Sequence, residues 1–379
     1  MYGAQLMEAL RAKAGTGVLA RPAANFGGRD PGPSTLTFFG AGGERMRTAG
    51  CDIVVDAKDL AVVGITEIFS HFPKILGLYK KLVRAADDRR PDLAVVIDSP
   101  AFNWRVARQM RRRGIPVVYY VCPQFWAWRQ GRVKLLRKYV NKALVIFPFE
   151  ERFYRDRGVD ATFVGHPLAD QPTPAITREE YAAQYSLDLD EHWITLMPGS
   201  RRKEVKMNLP AMLEAAEQLG AGYEFLLPVA RTLERSFLEQ LMGDRKVHFV
   251  VDAMPALRHS RAGIVASGTA TVEAALVETP FVMVYRVSAL TYALGKPRVK
   301  VAHYAMANLI AGEEVVPELV QHRFTAGNIV TEMQKIISDG AAREKMIRGL
   351  KSVREKLKKP DGGSHPADRA AETVLRMLR

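Results

Sequence analysis

The sequence is poor in cysteine, has no long apolar run, and over one stretch carries no acid at all. Its 379 residues include two cysteines, Cys51 and Cys122. Thiols this far apart make no CxxC, zinc pattern or disulfide framework, so a disulfide-stapled domain is excluded and a reduced cytosolic setting is expected. No apolar run approaches the roughly 20 residues that cross a bilayer, and no signal-peptide core is visible. A soluble or at most peripheral protein is expected. No Walker motif or intact GxGxxG occurs, which weakens ATPase and dehydrogenase readings. His166 and His303 sit in no HxxxH or triad-like pattern, and no DxD pair is suited to a divalent ion on a nucleotide diphosphate. No metal or cofactor is therefore expected.

The missing acid is local. From Ser99 to Phe149 there are eleven basic residues and no Asp or Glu, within a chain of net charge +14. Such a block suits nucleic acid, an anionic membrane or a phosphorylated substrate; a merely solvated face is the plain alternative. Inside it, Val121–Val140 sets Phe125, Trp126 and Trp128 beside Arg129, Arg132, Lys134, Arg137 and Lys138.

Length favours two domains. Continuous apolar runs at Leu36–Phe39, Asp52–Val55, Asp92–Ile97, Ile115–Val121 and Ala143–Phe147 read as buried parallel strands between charged helices. After the proline-rich stretch Gly165–Thr177, the pattern restarts at Ile194–Met197, Glu224–Val229, Val247–Val251, Gly263–Ser267 and Phe281–Tyr285. The fold class is α/β: two Rossmann-like, doubly wound parallel-sheet domains facing across a cleft. The expected division is 1–170, 171–345, and C-terminal helices over 346–379 that pack back on an N-terminal domain. Ser364 and Pro366 suit the cap and first turn of the last helix. Phe72, Leu76, Tyr79 and Val83 form a helical stripe that suits a core or a membrane face, with Pro73 in the first turn.

Four stretches suit chemistry. Met197–Val205 places Gly199, Ser200 and Arg201 between a strand and a helix, where free amides and a guanidinium suit phosphate, or form a plain βα turn. Ala266–Arg286 offers a second such turn at Ser267, Gly268 and Thr269. Glu273, one helical turn on, would accept from two sugar hydroxyls or complement the helix dipole. Two anion turns suit a diphosphate carrying a ribose. Asp98 ends a strand and is either a general base or an N-cap. Phe102 and Trp104 beside it line an acyl pocket or pack on a neighbour.

Together "DLAVVGITEIF", "VIDSPAFN", "YYVCPQFWAWRQGRV", "FPFEERFY", "FVGHPLAD", "LMPGSRRKEV", "ASGTATVEAAL", "MVYR" and "ANLIAGEEVVPELVQ" resemble the lipid-A-disaccharide synthase family, inverting glycosyltransferases of GT-B fold. The resemblance implies UDP-2,3-diacylglucosamine as donor and 2,3-diacylglucosamine 1-phosphate (lipid X) as acceptor, giving the β-1,6 disaccharide 1-phosphate and UDP. It implies Asp98 as base, Arg201, Ser267, Gly268, Thr269 and Asn308 around the diphosphate, and Glu273 at the ribose. It implies a peripheral protein at the inner face of the cytoplasmic membrane. There Phe102, Trp104, Phe125, Trp126, Trp128, Arg129 and Arg132 would meet anionic lipid or acyl chain, the alternative for Trp126 and Trp128 being core residues that pack the two domains. The sequence leaves open a homodimer, and whether the last helix returns to its own first domain or to a partner's; no nucleic acid is expected. The family's opening strand and Gly-Glu-x-Ser-Gly-Asp loop have no counterpart before Met1–Leu10, so a first sheet short of one interior strand is expected. Rival readings are another GT-B UDP-sugar enzyme, such as a cell-wall GlcNAc transferase or a 2-epimerase, an inactive remnant, or a nucleic-acid binder.

Overall fold

The computed structural model describes residues 2–15, 36–61, 68–170, 174–358 and 364–378. The chain forms two compact units, 1–167 with 361–379, and 168–360. In both, the expected continuous apolar runs are strands covered on both faces. Val117, Val118, Tyr119 and Tyr120 are all buried, as are Ala262–Ala266.

The first unit holds β1 (Phe38–Gly42), β2 (Cys51–Asp56), β3 (Ala94–Ile97), β4 (Val117–Tyr120), β5 (Lys142–Val145) and β6 (Ala161–Phe163). All pairings are parallel, but they make two sheets, β1-β2 and β3-β4-β5-β6. Among the described residues β1 and β2 are the edges of one sheet, and β3 and β6 those of the other. The helix Tyr2–Gly15 starts against the end of β3, where Gly3 faces the Ile97 side chain. Its buried Ala4 and Met7 cluster with Ala49 and Cys51, Leu6, Ala9 and Leu10 are buried as well, and the helix packs with the helix Pro366–Met377. Lys13 closes that pair with an ion pair to Glu372 at 2.7 Å.

Several expectations need correction. The Ala341–Leu357 helix packs within the second unit, against the Thr269–Leu276, Met306–Ala311 and Ala326–Ile337 helices, so only the last helix belongs with the first unit. That last helix is capped by His365, whose ring accepts from the Ala367 amide, not by Ser364; Pro366 does take the first turn. Pro73 lies inside the Ile68–Arg89 helix rather than in its first turn. On the same helix Tyr79 packs on the core and meets Phe102 edge-on at 6.1 Å, while Leu76 is exposed. Phe72 and residues 62–67 lie outside what is described.

The second unit has one sheet of β7 (His192–Met197), β8 (Tyr223–Pro228), β9 (His248–Val250), β10 (Ala262–Ala266), β11 (Phe281–Tyr285) and β12 (Glu318–Val320). Its order is β12-β11-β10-β7-β8-β9, entirely parallel. Successive strands run outward in one direction from β7 and in the other from β10. The order reverses between those two strands, the switch point where such sheets bind ligands.

The paired terminal helices supply a stability test. Leu6 is 2% exposed, so Leu6→Ala is expected to cost about 2–5 kcal/mol in urea unfolding. A cost near zero would mean that the helix Tyr2–Gly15 does not hold the first unit together.

Candidate active site

β7 and β10 are neighbours, with Met197 opposite Val265 near their ends. The turns after them therefore lie side by side. After β7 the chain runs Pro198-Gly199-Ser200-Arg201 into the helix Arg202–Leu219. Gly199 has φ +121, and a Cβ there would come 2.7 Å from a Glu204 carboxylate oxygen; both facts require glycine. Asn208, buried in the helix, donates its amide to the Pro198 carbonyl at 2.8 Å, and the Thr232 hydroxyl donates to the Ser200 carbonyl at 2.6 Å. The turn is thus held from two sides. Its Ser200 amide donates to Glu204 at 3.2 Å, and the exposed Arg201 guanidinium pairs with the same carboxylate. The turn is met by a carboxylate from the first turn of its own helix, a local contact common at helix starts.

After β10, Gly268 has φ +136, and with Thr269 it is exposed at the start of the helix Thr269–Leu276. Ser267 is more tightly engaged than expected. Its amide donates to the Val284 carbonyl and its hydroxyl to the Tyr304 carbonyl at 2.8 Å, fixing the turn to β11 and to the loop after it. Glu273 lies one turn into the helix, and burial pushes its carboxyl up to about 7. Among the described residues nothing hydrogen-bonds it. A carboxyl held in this way gains most from donors that arrive with a ligand.

Asn308 requires a correction. It is fully buried, and its amide nitrogen donates to the Val316 carbonyl and to Glu318, while its oxygen accepts from the Val315 and Val316 amides. A diphosphate would have to break those bonds, so Asn308 shapes the site from behind. Glu318 is the hub that sequence reasoning missed. It also accepts from the Tyr304 and Ala305 amides, at 2.9 to 3.0 Å, and so fixes the start of the Met306–Ala311 helix. Glu204 was equally hidden, because within the charged run "RRKE" it reads as surface.

In the first unit, Asp98 follows β3 with φ +49 and Ser99 follows with φ +43, two consecutive left-handed residues that are not glycine. Such strain persists only when it is held in place. Here the Asp98 carbonyl accepts from the Asn103 amide and from the Tyr119 hydroxyl at 2.7 Å, while its own amide donates to Tyr120. Ser99, not Asp98, caps the Pro100–Arg112 helix, and does so without a side-chain bond. The N-cap alternative for Asp98 is therefore excluded, and its carboxylate stays exposed. Phe102 packs against the core, and Trp104 lies under the Arg105 guanidinium at 4.7 Å.

The basic aromatic block divides. Phe125 and Trp126 are buried, which corrects the expectation that both meet lipid. The Trp126 indole donates to Glu150 at 2.8 Å and meets Phe149 edge-on at 4.9 Å. Glu150 also accepts from the Phe147 amide at 3.1 Å, closing the start of the Pro148–Arg155 helix. Trp128 is 47% exposed beneath the Arg129 guanidinium at 3.9 Å, and Arg132, Lys134, Arg137 and Lys138 are exposed after it.

Comparison with known proteins decides the family. A family model described as "Lipid-A-disaccharide synthetase" matches residues 25–366. A lipid-A-disaccharide synthase of Koribacter versatilis is 49% identical over 379 residues, covering 99% of this chain and 94% of that protein. The chain belongs to the lipid-A-disaccharide synthase family. The lipid-A-disaccharide synthase of Acidobacterium capsulatum is also 49% identical, over 358 residues, with 90% of this chain and 89% of that one covered. Among solved structures, the glycotransferase of kitacinnamycin aligns with TM-score 0.62 at 14% identity, covering 100% of this chain and 97% of that one. The calicheamicin glycosyltransferase CalG4 aligns with TM-score 0.55 at 17% identity, covering 90% of each chain. At those identities the likeness concerns fold alone, and the fold is that of GT-B glycosyltransferases.

In this member of the lipid-A-disaccharide synthase family, the Glu150 pair yields a pH test. Burial pushes the Glu150 carboxyl up to about 7. A carboxyl raised on folding stabilises the native state while it is protonated. That stability is lost as pH climbs from the unfolded value, about 4.3, through the native one. The loss should be about 3 kcal/mol between pH 5 and pH 8 and absent in Glu150→Gln. Urea unfolding at both pH values checks this; an equal loss in the variant would contradict it.

Proposed function

We propose that the chain transfers 2,3-diacylglucosamine from UDP to the 6-hydroxyl of 2,3-diacylglucosamine 1-phosphate, inverting the anomeric carbon. Asp98 takes the hydroxyl proton. The freed oxygen forms a bond to C1 of the donor, from the face opposite UDP. The C1–O bond to the β-phosphate breaks, and its electron pair leaves with UDP. The product is the β-1,6 disaccharide 1-phosphate.

The neighbouring anion turns at the β7/β10 switch point carry this reading. The Gly199, Ser200, Gly268 and Thr269 amides and the Arg201 guanidinium are the donors suited to charge growing on the departing diphosphate. Such preorganised donors are usually the largest catalytic contribution. Ser267 supports its turn, and Glu273 takes the ribose hydroxyls. Trp128, Arg129 and Arg132, followed by the exposed Lys134, Arg137 and Lys138, suit an anionic inner-membrane surface, where a cation contributes about 1 kcal/mol. Among the described residues no helix is long and apolar enough to cross a membrane.

UDP release should require both acylated sugars. Asp98→Asn should lower turnover about 10²–10⁴-fold while UDP affinity stays within a factor of two or so. Wild-type turnover in that variant, or release with a non-acylated acceptor alone, would overturn the reading. Hydrogen bonds from a ribose favour ionised Glu273, whose carboxyl sits at about 7. Binding of UDP should therefore tighten from pH 6 to pH 8 by more in wild type than in Glu273→Ala, measured by calorimetry. Parallel curves would remove Glu273 from the ribose site.

A further inference from the structure

The second unit carries a surface element that none of this chemistry uses. The helix Ala289–Gly295 opens at Ser288, whose hydroxyl accepts from the Thr291 amide. It presents Leu290, at 71% the most exposed large apolar side chain among the described residues. Ala293, three residues on and on the same face, is exposed as well. The chain then turns through exposed Lys296, Pro297 and Arg298 to exposed Lys300. Lys296 lies 5.6 Å from the centroid of the Tyr292 ring. Lys296 and Lys300 make no ion pair among the described residues. From Thr279 to Gly312 the sequence has no Asp or Glu.

An exposed leucine alone needs no explanation. Here it tips a short helix whose C-terminal end is cationic and whose surrounding sequence holds no acid. That combination matches an interface between hydrocarbon and anionic headgroups, with the apolar tip inward and the ammonium groups at phosphate level. A protein partner would ask for a larger apolar patch. A nucleic acid would ask for aromatic stacking faces between the charges.

We propose that Ser288–Lys300 is a membrane-contact element of the second unit, which seats Leu290 in the headgroup region of an anionic bilayer and pairs Lys296, Arg298 and Lys300 with lipid phosphates. It is separate from the Trp128 surface of the first unit. It rests on the transferase reading only for its purpose, delivery of acylated sugars, and the test involves no sugar.

Cys51 and Cys122 are buried, so a Leu290→Cys chain can be labelled at the new thiol with an environment-sensitive fluorophore. With vesicles of phosphatidylcholine and phosphatidylglycerol at low salt, the emission should shift to the blue. It should not shift with phosphatidylcholine alone. Adding Lys296→Glu, Arg298→Glu and Lys300→Glu should weaken vesicle affinity about a hundredfold and abolish the shift, while UDP titration remains as in the parent chain. An unshifted label on the anionic vesicles overturns the proposal, as does unchanged affinity after charge reversal. A shift produced by protein concentration alone, or by single-stranded DNA, would assign the surface to a second copy or to nucleic acid and overturns it too. Loss of UDP binding with the vesicle response intact would count against the transferase reading and leave this one standing.

Discussion

Parallel strands that end at a topological switch point leave the first amides of the following turns without carbonyl partners. The second unit sets two such ends side by side, after β7 and after β10. The surroundings fix the path of both turns. Glycines at φ +121 and +136 let the backbone turn sharply, and Asn208 and Thr232 hold the first turn while Ser267 holds the second. Glu204 lies against Ser200 and Arg201. On the proposed function a diphosphate would replace that internal carboxylate, one anion exchanged for another.

The first unit solves a different problem, that of holding a strained turn at the end of a strand. Two successive left-handed residues are costly, and the Asn103 and Tyr119 donors converge on the Asp98 carbonyl to offset the cost. The carboxylate is left out of that network. Nearby, the basic aromatic block is anchored from within: Glu150 fastens Trp126, and Trp128 two residues later remains outside. One short helix thereby serves core and surface together.

Much of this was legible in the residues. Continuous apolar runs mark ten of the strands, because strands covered on both faces admit few polar side chains. β6 and β12 are harder to read because each is three residues long and includes a polar residue, Thr162 or Glu318, that breaks the apolar run. The Gly-Ser and Gly-Thr turns were visible as anion sites, but their adjacency depends on strand order, which periodicity does not encode. Asn308 misled for a related reason. A buried asparagine that completes four backbone and side-chain bonds looks, in sequence, like one that faces a ligand. The Trp126 and Trp128 pair shows the same limit, since the partner that buries Trp126 is Glu150, 24 residues away.

The central claim is that UDP is held by the amides after β7 and β10. Amide chemical shifts of the full chain, followed by nuclear magnetic resonance during a UDP titration, address it directly. The largest changes are expected at Gly199, Ser200, Gly268 and Thr269, saturating together. Changes confined to other residues, with those four amides unmoved at saturation, would contradict it.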